Sequence, residues 1–231
     1  MHEFPPPLED ADRFGAEDAA ARLAQRLDAL QPKPVVLAAD GRPQLWPQFS
    51  PARDHVAGPV SARVTLVFFG AFGTPSSVAL GRAVERIRER HMATVRIAWR
   101  HYPDVATHPR AIMLALAAEA AATRGRFWAL TRELLRLRHD DPQDLHAAML
   151  RAGLDPERTI EAMRAGTGED RVVDDVASAL ASGVAFTPAL FIDNERFEDE
   201  IDEATVSAAV DDLVAGPSAI RVTTGAREDH V

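Results

Sequence analysis

An unbroken apolar run, residues 64–69, is the clearest strand signal in the chain. Its β-branched and aromatic side chains do not alternate with polar ones, which is typical of a central strand covered on both faces. The following segment, residues 75–91, instead repeats its apolar positions at helical spacing, at Leu80, Ala83, Val84 and Ile87. The pattern therefore predicts a strand that passes into an amphipathic helix within a few residues.

The stretch between them, residues 73–77, reads Gly-Thr-Pro-Ser-Ser and has the residues of a helix start. Thr74 is predicted to be the N-cap, its hydroxyl accepting a hydrogen bond from the backbone N–H of Ser76 or Ser77, and Pro75 to take the first helical position. Taken alone, these residues favour a capped helix over a nucleophile. A helix N-terminus beside the carboxyl end of a strand also suits a thiolate, carboxylate or phosphate, so function is expected at this junction.

The rest of the pattern predicts an α/β fold. A second strand at residues 93–99 completes a strand, helix, strand unit with parallel pairing. Residues 105–182 read as helical almost throughout, in about five segments broken at Gly, Pro and Asp clusters. A strand at 189–193 with a hairpin partner from residue 196, and a closing helix at 202–213, complete the set. Residues 34–38 and 43–46 are predicted as a short hairpin, and 47–59 as irregular.

An N-terminal helix is predicted over residues 16–30, ended by Gln31-Pro32. Its apolar stripe consists of Ala20, Leu23, Leu27 and Leu30. Two roles fit this stripe: packing on the core as an additional element, or pairing with a second copy in a homodimer. The stripe itself does not separate them.

Composition excludes several classes of function. The chain has 231 residues, enough for one domain with extensions, and a net charge of -9, which argues against nucleic acid as the main partner. No apolar stretch approaches the roughly 20 residues of a membrane span, and the N-terminus has no pattern of a secretory leader, so we expect a cytoplasmic protein that does not bind membranes. His91, His101 and His108 match no zinc-binding spacing, and no metal is expected.

Several spaced segments resemble, in order, the landmarks of one protein family. They are Asp54-His55-Val56-Ala57-Gly58-Pro59, Arg100-His101-Tyr102-Pro103, His108-Pro109-Arg110-Ala111, Gly125-Arg126-Phe127-Trp128 and Gly183-Val184-Ala185-Phe186-Thr187-Pro188-Ala189-Leu190-Phe191-Ile192. With the strand at 64–67, they resemble DsbA-like thioredoxin-fold domains, including those fused to some sodium/proton antiporters. The resemblance implies a thioredoxin-like core at 51–104 and 183–215, an inserted helical domain at 105–182, an N-terminal extension at 1–50 and a tail at 216–231.

The resemblance fails at the chemistry. Where the family places a Cys-x-x-Cys pair, this chain reads Thr74-Pro75-Ser76-Ser77, and two acidic positions commonly found upstream read Phe68 and Ala71. The whole sequence contains no cysteine. Thiol–disulfide exchange needs a thiolate that attacks a disulfide, and a hydroxyl cannot form that bond. The chain by itself therefore cannot carry out dithiol exchange.

The family's cis-proline would be Pro188. The resemblance then implies that the backbone of Phe186 and Thr187 faces residues 74–77 and offers unpaired N–H and C=O groups to an extended peptide, as a sheet edge does. The candidate binding residues are accordingly Phe72, Thr74, Ser76, Ser77, Phe186, Thr187 and Pro188.

Two hypotheses follow. In the first, the protein is a redox-inactive family member that binds an extended peptide or partner protein and needs no cofactor. In the second, it resembles glutathione-dependent kappa-type transferases or isomerases, and Thr74, Ser76 or Ser77 hydrogen-bonds a glutathione thiolate while Thr187 docks the peptide backbone. The second requires cations for the glutathione carboxylates, and Arg100, Arg110 and Arg196 are the candidates. A related paralogue retained only for assembly with another protein is a third expectation.

Overall fold

In the computed structural model, which describes residues 16–31, 33–103, 108, 110–137 and 142–216, the protein is an α/β structure built on one mixed sheet. The sheet has the order β1-β3-β2-β4-β5. The strands are β1 His55–Ala57, β2 Val64–Gly70, β3 Val95–His101, β4 Ala189–Ile192 and β5 Glu195–Arg196. β2 and β3 are parallel, with Val64 opposite Val95, and the other three pairings are antiparallel. Every residue of β2 is buried, as its unbroken apolar run predicts.

Eight helices surround the sheet in the described part of the chain. They are α1 Glu17–Asp28, α2 Pro75–Arg90, α3 Arg110–Ala122, α4 Phe127–Leu134, α5 Pro142–Arg151, α6 Pro156–Arg164, α7 Glu169–Ala181 and α8 Glu203–Ala215. The segments α3 to α7 account for the five helical segments expected between residues 105 and 182. No helix among the described residues is both long enough and apolar enough to cross a bilayer.

The two faces of the sheet bury different amounts of apolar surface. On one face, Leu66, Phe68 and Trp99 belong to a large core that also contains side chains from all eight helices. On the other face, Phe69 and Phe191 belong to a smaller core with residues of α7 and the segment around residue 45. The carboxyl ends of β2 and β3 therefore emerge between two packed layers.

The N-terminal helix packs on the core of its own chain. Ala16, Ala19 and Leu23 are fully buried, and Leu27 packs against the same core. Three ion pairs attach the helix to the start of α7: Arg22 donates to Glu169 at 2.9 Å, and Arg26 donates to Asp170 at 2.6 Å and to Glu169 at 3.3 Å. Of the two roles that fitted its apolar stripe, the helix has the first, and a homodimer through another surface stays a prediction.

Several predicted boundaries were wrong. Strand β1 lies inside the stretch predicted as irregular, because three half-buried residues gain their pairing only from β3. The hairpin predicted at 34–38 and 43–46 is reduced to isolated bridges, Leu37 with Pro43 and Gln44 with Glu195. Strand β3 begins at Val95 instead of residue 93, because the backbone at 91–95 still turns out of α2, with the Val95 N–H donating to the His91 carbonyl. The predicted tail lies almost wholly outside the described residues.

Candidate functional site

The two positions expected to carry sulfur bear hydroxyls that bond to a single neighbouring residue, Ala71. The Thr74 hydroxyl donates to the Ala71 carbonyl at 3.0 Å, and the Ser77 hydroxyl accepts from the Ala71 N–H at 3.1 Å. Gly73, at φ +85°, makes the turn that brings Ala71 back under the helix start. Both hydroxyls are therefore engaged in holding this turn.

The predicted capping bond of Thr74 was wrong. Its backbone is at the N-cap, with φ -83° and ψ 132°, and Pro75 begins α2 as expected, but its side chain accepts no bond from the helix. The hydroxyl instead donates to Ala71, because the turn at Gly73 places that carbonyl beside it. Ser77 is fully buried, which excludes it as a nucleophile, whereas Ser76 is exposed.

Aromatic side chains occupy the space beneath the helix start. Phe68 meets Trp99 edge to face at a ring distance of 4.7 Å, and Phe72 stacks on Trp99 at 4.3 Å. Phe68 and Ala71, which stand where the family commonly has acids, are each 2% exposed. Phe72 is only 1% exposed, so this predicted binding residue supports the site from below. No carboxylate from these positions is available to move a proton at the helix start.

The segment before β4 faces the start of α2. The Thr187–Pro188 peptide bond is cis. No hydrogen bond joins the backbone of residues 185–187 to another described residue, which leaves N–H and C=O groups free. The Phe186 side chain is 74% exposed, although a large aromatic side chain usually buries most of its surface.

An open groove of about 540 Å³ joins these elements. Thr74, Ser76, Tyr102 and Pro103 contribute from the carboxyl side of the sheet, together with His108. The remaining walls come from the loop before β4, from α7 and from α1, through Ala185, Phe186, Thr187, Val176, Leu180, Leu27, Asp28 and Leu30. The structure thus brings Thr74, Ser76, Phe186 and Thr187 together, as the sequence predicted, while Ser77, Phe72 and Pro188 are not among the lining residues.

The contribution of α1 was not predicted. This helix lies outside the segments that resemble the family, and nothing in its sequence indicates a role at the site. Leu27 and Leu30 were visible as stripe residues, but only the packing of α1 against α7 brings them to the groove.

A buried ion pair lies beneath the sheet end and joins two of the landmark segments. Arg100 donates to both carboxylate oxygens of Asp54, at 2.8 and 3.0 Å, and both side chains are fully buried. Arg100 also donates to Ser178 and to the Pro47 carbonyl. Burial raises the pKa of Asp54, but the hydrogen bonds and charge of Arg100, the Ser50 N–H and the charge of Arg53 together outweigh burial and hold that pKa below its usual value. Burial lowers the pKa of Arg100, and Asp54 opposes this effect.

A second buried cluster joins the same segments to α3. Glu119 accepts hydrogen bonds from His101 at 2.8 Å and from His55 at 2.9 Å. The Trp99 indole, which can only donate, approaches Nδ1 of His101 at 3.2 Å, so both ring nitrogens of His101 have buried partners. Burial would raise the pKa of Glu119, yet the two histidines outweigh it and lower the pKa to about 2.

These contacts explain the histidines and arginines noted in the sequence. His101 is structural, as expected, and His91 lies 2.8 Å from Asp211 of α8. Within the described residues, no group of three or more potential ligands is placed to hold a metal ion. Arg100 is buried in its ion pair, Arg196 donates to the Gly183 carbonyl at 2.7 Å, and Arg110 is not among the lining residues of the groove.

A family model described as thioredoxin matches residues 51–212. The chain belongs to this thioredoxin family. Among curated proteins it is 36% identical over 214 residues to the Na(+)/H(+) antiporter NhaA 3 of Salinispora tropica, an alignment covering 90% of this chain and 32% of the relative. It is 34% identical to NhaA 1 of Mycolicibacterium gilvum, covering 78% of this chain and 29% of that one. The chain thus spans about a third of the length of these relatives.

Solved structures show the same fold. Oxidised BdbD from Bacillus subtilis matches with a TM-score of 0.65 at 18% identity, over 75% of this chain and 99% of that one. The thiol-disulfide exchange protein alpha-DsbA2 from Wolbachia pipientis matches with a TM-score of 0.60 at 13% identity, over 86% of this chain and 95% of that one. This thioredoxin-family chain therefore has the DsbA-like fold that the sequence motifs implied, in a form without cysteine.

Proposed function

We propose that this cysteine-free thioredoxin-fold protein binds an extended segment of a partner protein in the groove between α2 and the loop before β4. The observation that carries the proposal is the exposed Phe186 and the half-buried Thr187, which line one open groove together with Thr74 and Ser76. Free backbone groups at 185–187 suit main-chain pairing with a peptide, and Phe186 suits an apolar side chain. The groove size lies within the usual range for ligand sites.

The proposed role is binding alone, because the site has no thiol for exchange chemistry. The Thr74 and Ser77 hydroxyls are held by Ala71, and no cysteine exists anywhere in the sequence. We expect no insulin reduction and no dithiol oxidation by the purified protein. The relatives support a protein partner, since in the named antiporters a matching unit is about a third of a longer chain. A cytoplasmic location stays a prediction.

The groove is less suited to glutathione than to a peptide. Its two carboxylates need cationic partners, and the described lining residues include neither lysine nor arginine. Calorimetric titration with glutathione separates the two functions. We expect no saturable binding. Saturable binding, with NMR chemical-shift changes at Thr74, Ser76 and Thr187, would replace the present proposal by the glutathione-dependent one.

The direct test is selection from a phage library of random ten-residue peptides on the full-length protein. Enriched peptides, resynthesised with a fluorophore, are expected to bind with affinities that fall about tenfold for Phe186→Ser, because a large apolar contact is lost. Val60→Ser is the matched control, since Val60 is also an exposed apolar residue (89%), in the loop between β1 and β2. Absence of any enriched peptide, or equal losses in the two variants, would overturn the proposal.

A further inference from the structure

The N-terminal helix gives the groove a charge as well as a wall. Leu27, Asp28 and Leu30 all line the groove, as does Phe186 from the loop before β4. Among the described lining residues, Asp28 is the single carboxylate, and no lysine or arginine accompanies it. Any charge that the groove recognises on a ligand is therefore expected to be positive.

Asp28 has no structural partner that explains its position. It is exposed, and no hydrogen bond or ion pair joins it to another described residue. In contrast, Arg22 and Arg26 of the same helix are ion-paired with Glu169 and Asp170. An unpaired carboxylate beside a groove is available to a ligand.

The position of Asp28 within α1 is also unfavourable for the helix itself. It is the last residue of the helix, where the negative end of the helix dipole repels an acidic side chain. Residues that are unfavourable for their own helix, and that no neighbouring contact stabilises, are often found at functional sites. The carbonyl groups at this end of α1 also add to the negative potential at this side of the groove.

The neighbours of Asp28 match the shape of a basic side chain. Lysine and arginine carry an apolar stem that packs on aliphatic surface while the charged end stays at a polar site. Leu27 and Leu30 are half-buried and flank Asp28 in sequence, so they offer such a surface next to the carboxylate. The ion pairs of Arg22 and Arg26 hold this wall against α7.

We infer that the groove selects an extended segment carrying a lysine or arginine beside an apolar residue, with the basic group at Asp28 and the apolar one at Phe186. This inference rests on the proposed function and deepens it. Helix α1 lies outside residues 51–212, which the thioredoxin family model matches, so the selectivity comes from an element outside the part of the chain that this model covers.

The peptide selection described above tests this inference. We expect the enriched peptides to contain lysine or arginine next to an apolar residue. Replacing that basic residue by glutamine should weaken binding to the native protein about threefold to fivefold, the range of an exposed ion pair. On Asp28→Asn the same replacement should have little effect, and 0.5 M salt should reduce the difference on the native protein.

Asp18→Asn is the matched control, because it removes the same charge from an exposed site on the same helix. Asp18 lies ten residues, or about 15 Å, from Asp28 along the axis. It should leave the preference for basic peptides intact. Groove-binding peptides without a basic preference, or an equal effect of both variants, would overturn the inference while the proposed function stands. Failure to enrich any peptide would instead remove the proposed function itself.

Discussion

The groove and the interior beneath it use their polar side chains in opposite ways. In the interior, Asp54, Arg100, His101 and Glu119 are buried and bonded to one another. At the groove, Asp28 is exposed and unbonded to any described residue. Most polar groups that resemble family landmarks therefore stabilise the fold, and few of them are available for binding.

This contrast explains how the chain keeps the landmark segments of the family without its cysteine chemistry. The landmark segments at 54–59 and 100–103 contact each other through the Asp54 and Arg100 ion pair, and through Glu119 between His55 and His101. Those contacts do not depend on cysteine. The thioredoxin fold can therefore persist when the two sulfur positions carry hydroxyls that bond to Ala71.

The largest expected effect comes from breaking the buried ion pair. Arg100→Met should lower the free energy of unfolding by about 3 kcal/mol, because the buried Asp54 carboxylate loses two hydrogen bonds and keeps only Arg53 at 2.8 Å, the more distant Arg171 and the Ser50 N–H. Arg42→Met is the matched control, since Arg42 pairs with Asp40 on the surface, where both side chains are about half exposed. That change should cost less than about 1 kcal/mol. Equal losses, measured by urea denaturation, would contradict the division between interior and surface.

Much of the fold could be predicted from local patterns. The apolar run of β2, the helical spacing of α2 and the Gly and Pro breaks between α3 and α7 are properties of short segments. Strand β1 was missed because its three residues are paired only through β3, about 40 residues away in sequence. The direction of the Thr74 hydroxyl depends on the turn at Gly73, which no helix-capping rule includes.

The site was predictable only in part, for a related reason. Thr74, Ser76, Phe186 and Thr187 meet in the groove as the resemblance implied, whereas the α1 wall depends on helix packing between distant segments. Glu119 did leave a signal, since it is the one charged residue in the apolar stretch from Ala111 to Ala122. A lone acid in such a helix indicates a buried partner, and the two histidines are that partner.

The next effect in size is pH-dependent and concerns Glu119. Its pKa is lowered from 4.5 to about 2 in the folded protein, so its carboxylate contributes about 3 kcal/mol of stability at neutral pH. That contribution is fully present above about pH 4.5, the ordinary pKa, and is lost as the pH falls toward 2. Glu119→Gln should therefore be destabilised by about 2–3 kcal/mol at pH 7, and the difference from the native protein should shrink on acidification.

Urea denaturation at several pH values between 7 and 2.5 measures this difference. Glu89→Gln is the control, because Glu89 is 60% exposed and its nearest cation, on Arg88, is 3.8 Å away. It should change stability by no more than about 0.5 kcal/mol at any of these pH values. A Glu119→Gln deficit that stayed constant down to pH 2.5 would show that packing, and not the charge, is what Glu119 contributes.

The smallest expected effect comes from restoring the two cysteines, which tests whether the site differs from the family only in its sulfur atoms. In Thr74→Cys with Ser77→Cys, the new thiols replace two hydroxyls that bond to the carbonyl and the N–H of one residue, Ala71, at 3.0 and 3.1 Å. We expect a disulfide, with the oxidised form more stable than the reduced form by about 2 kcal/mol, the value for closing a four-residue loop. Thiol titration and urea denaturation with and without reductant measure both quantities.

Thr74→Cys with Ser76→Cys is the control, because Ser76 is exposed and Ser77 is buried, and its thiols should stay free. If Thr74→Cys with Ser77→Cys also kept free thiols, the helix start would differ from the family in its backbone as well as its chemistry; if it closes, the groove has kept the geometry of a redox site and only the reacting atoms are absent.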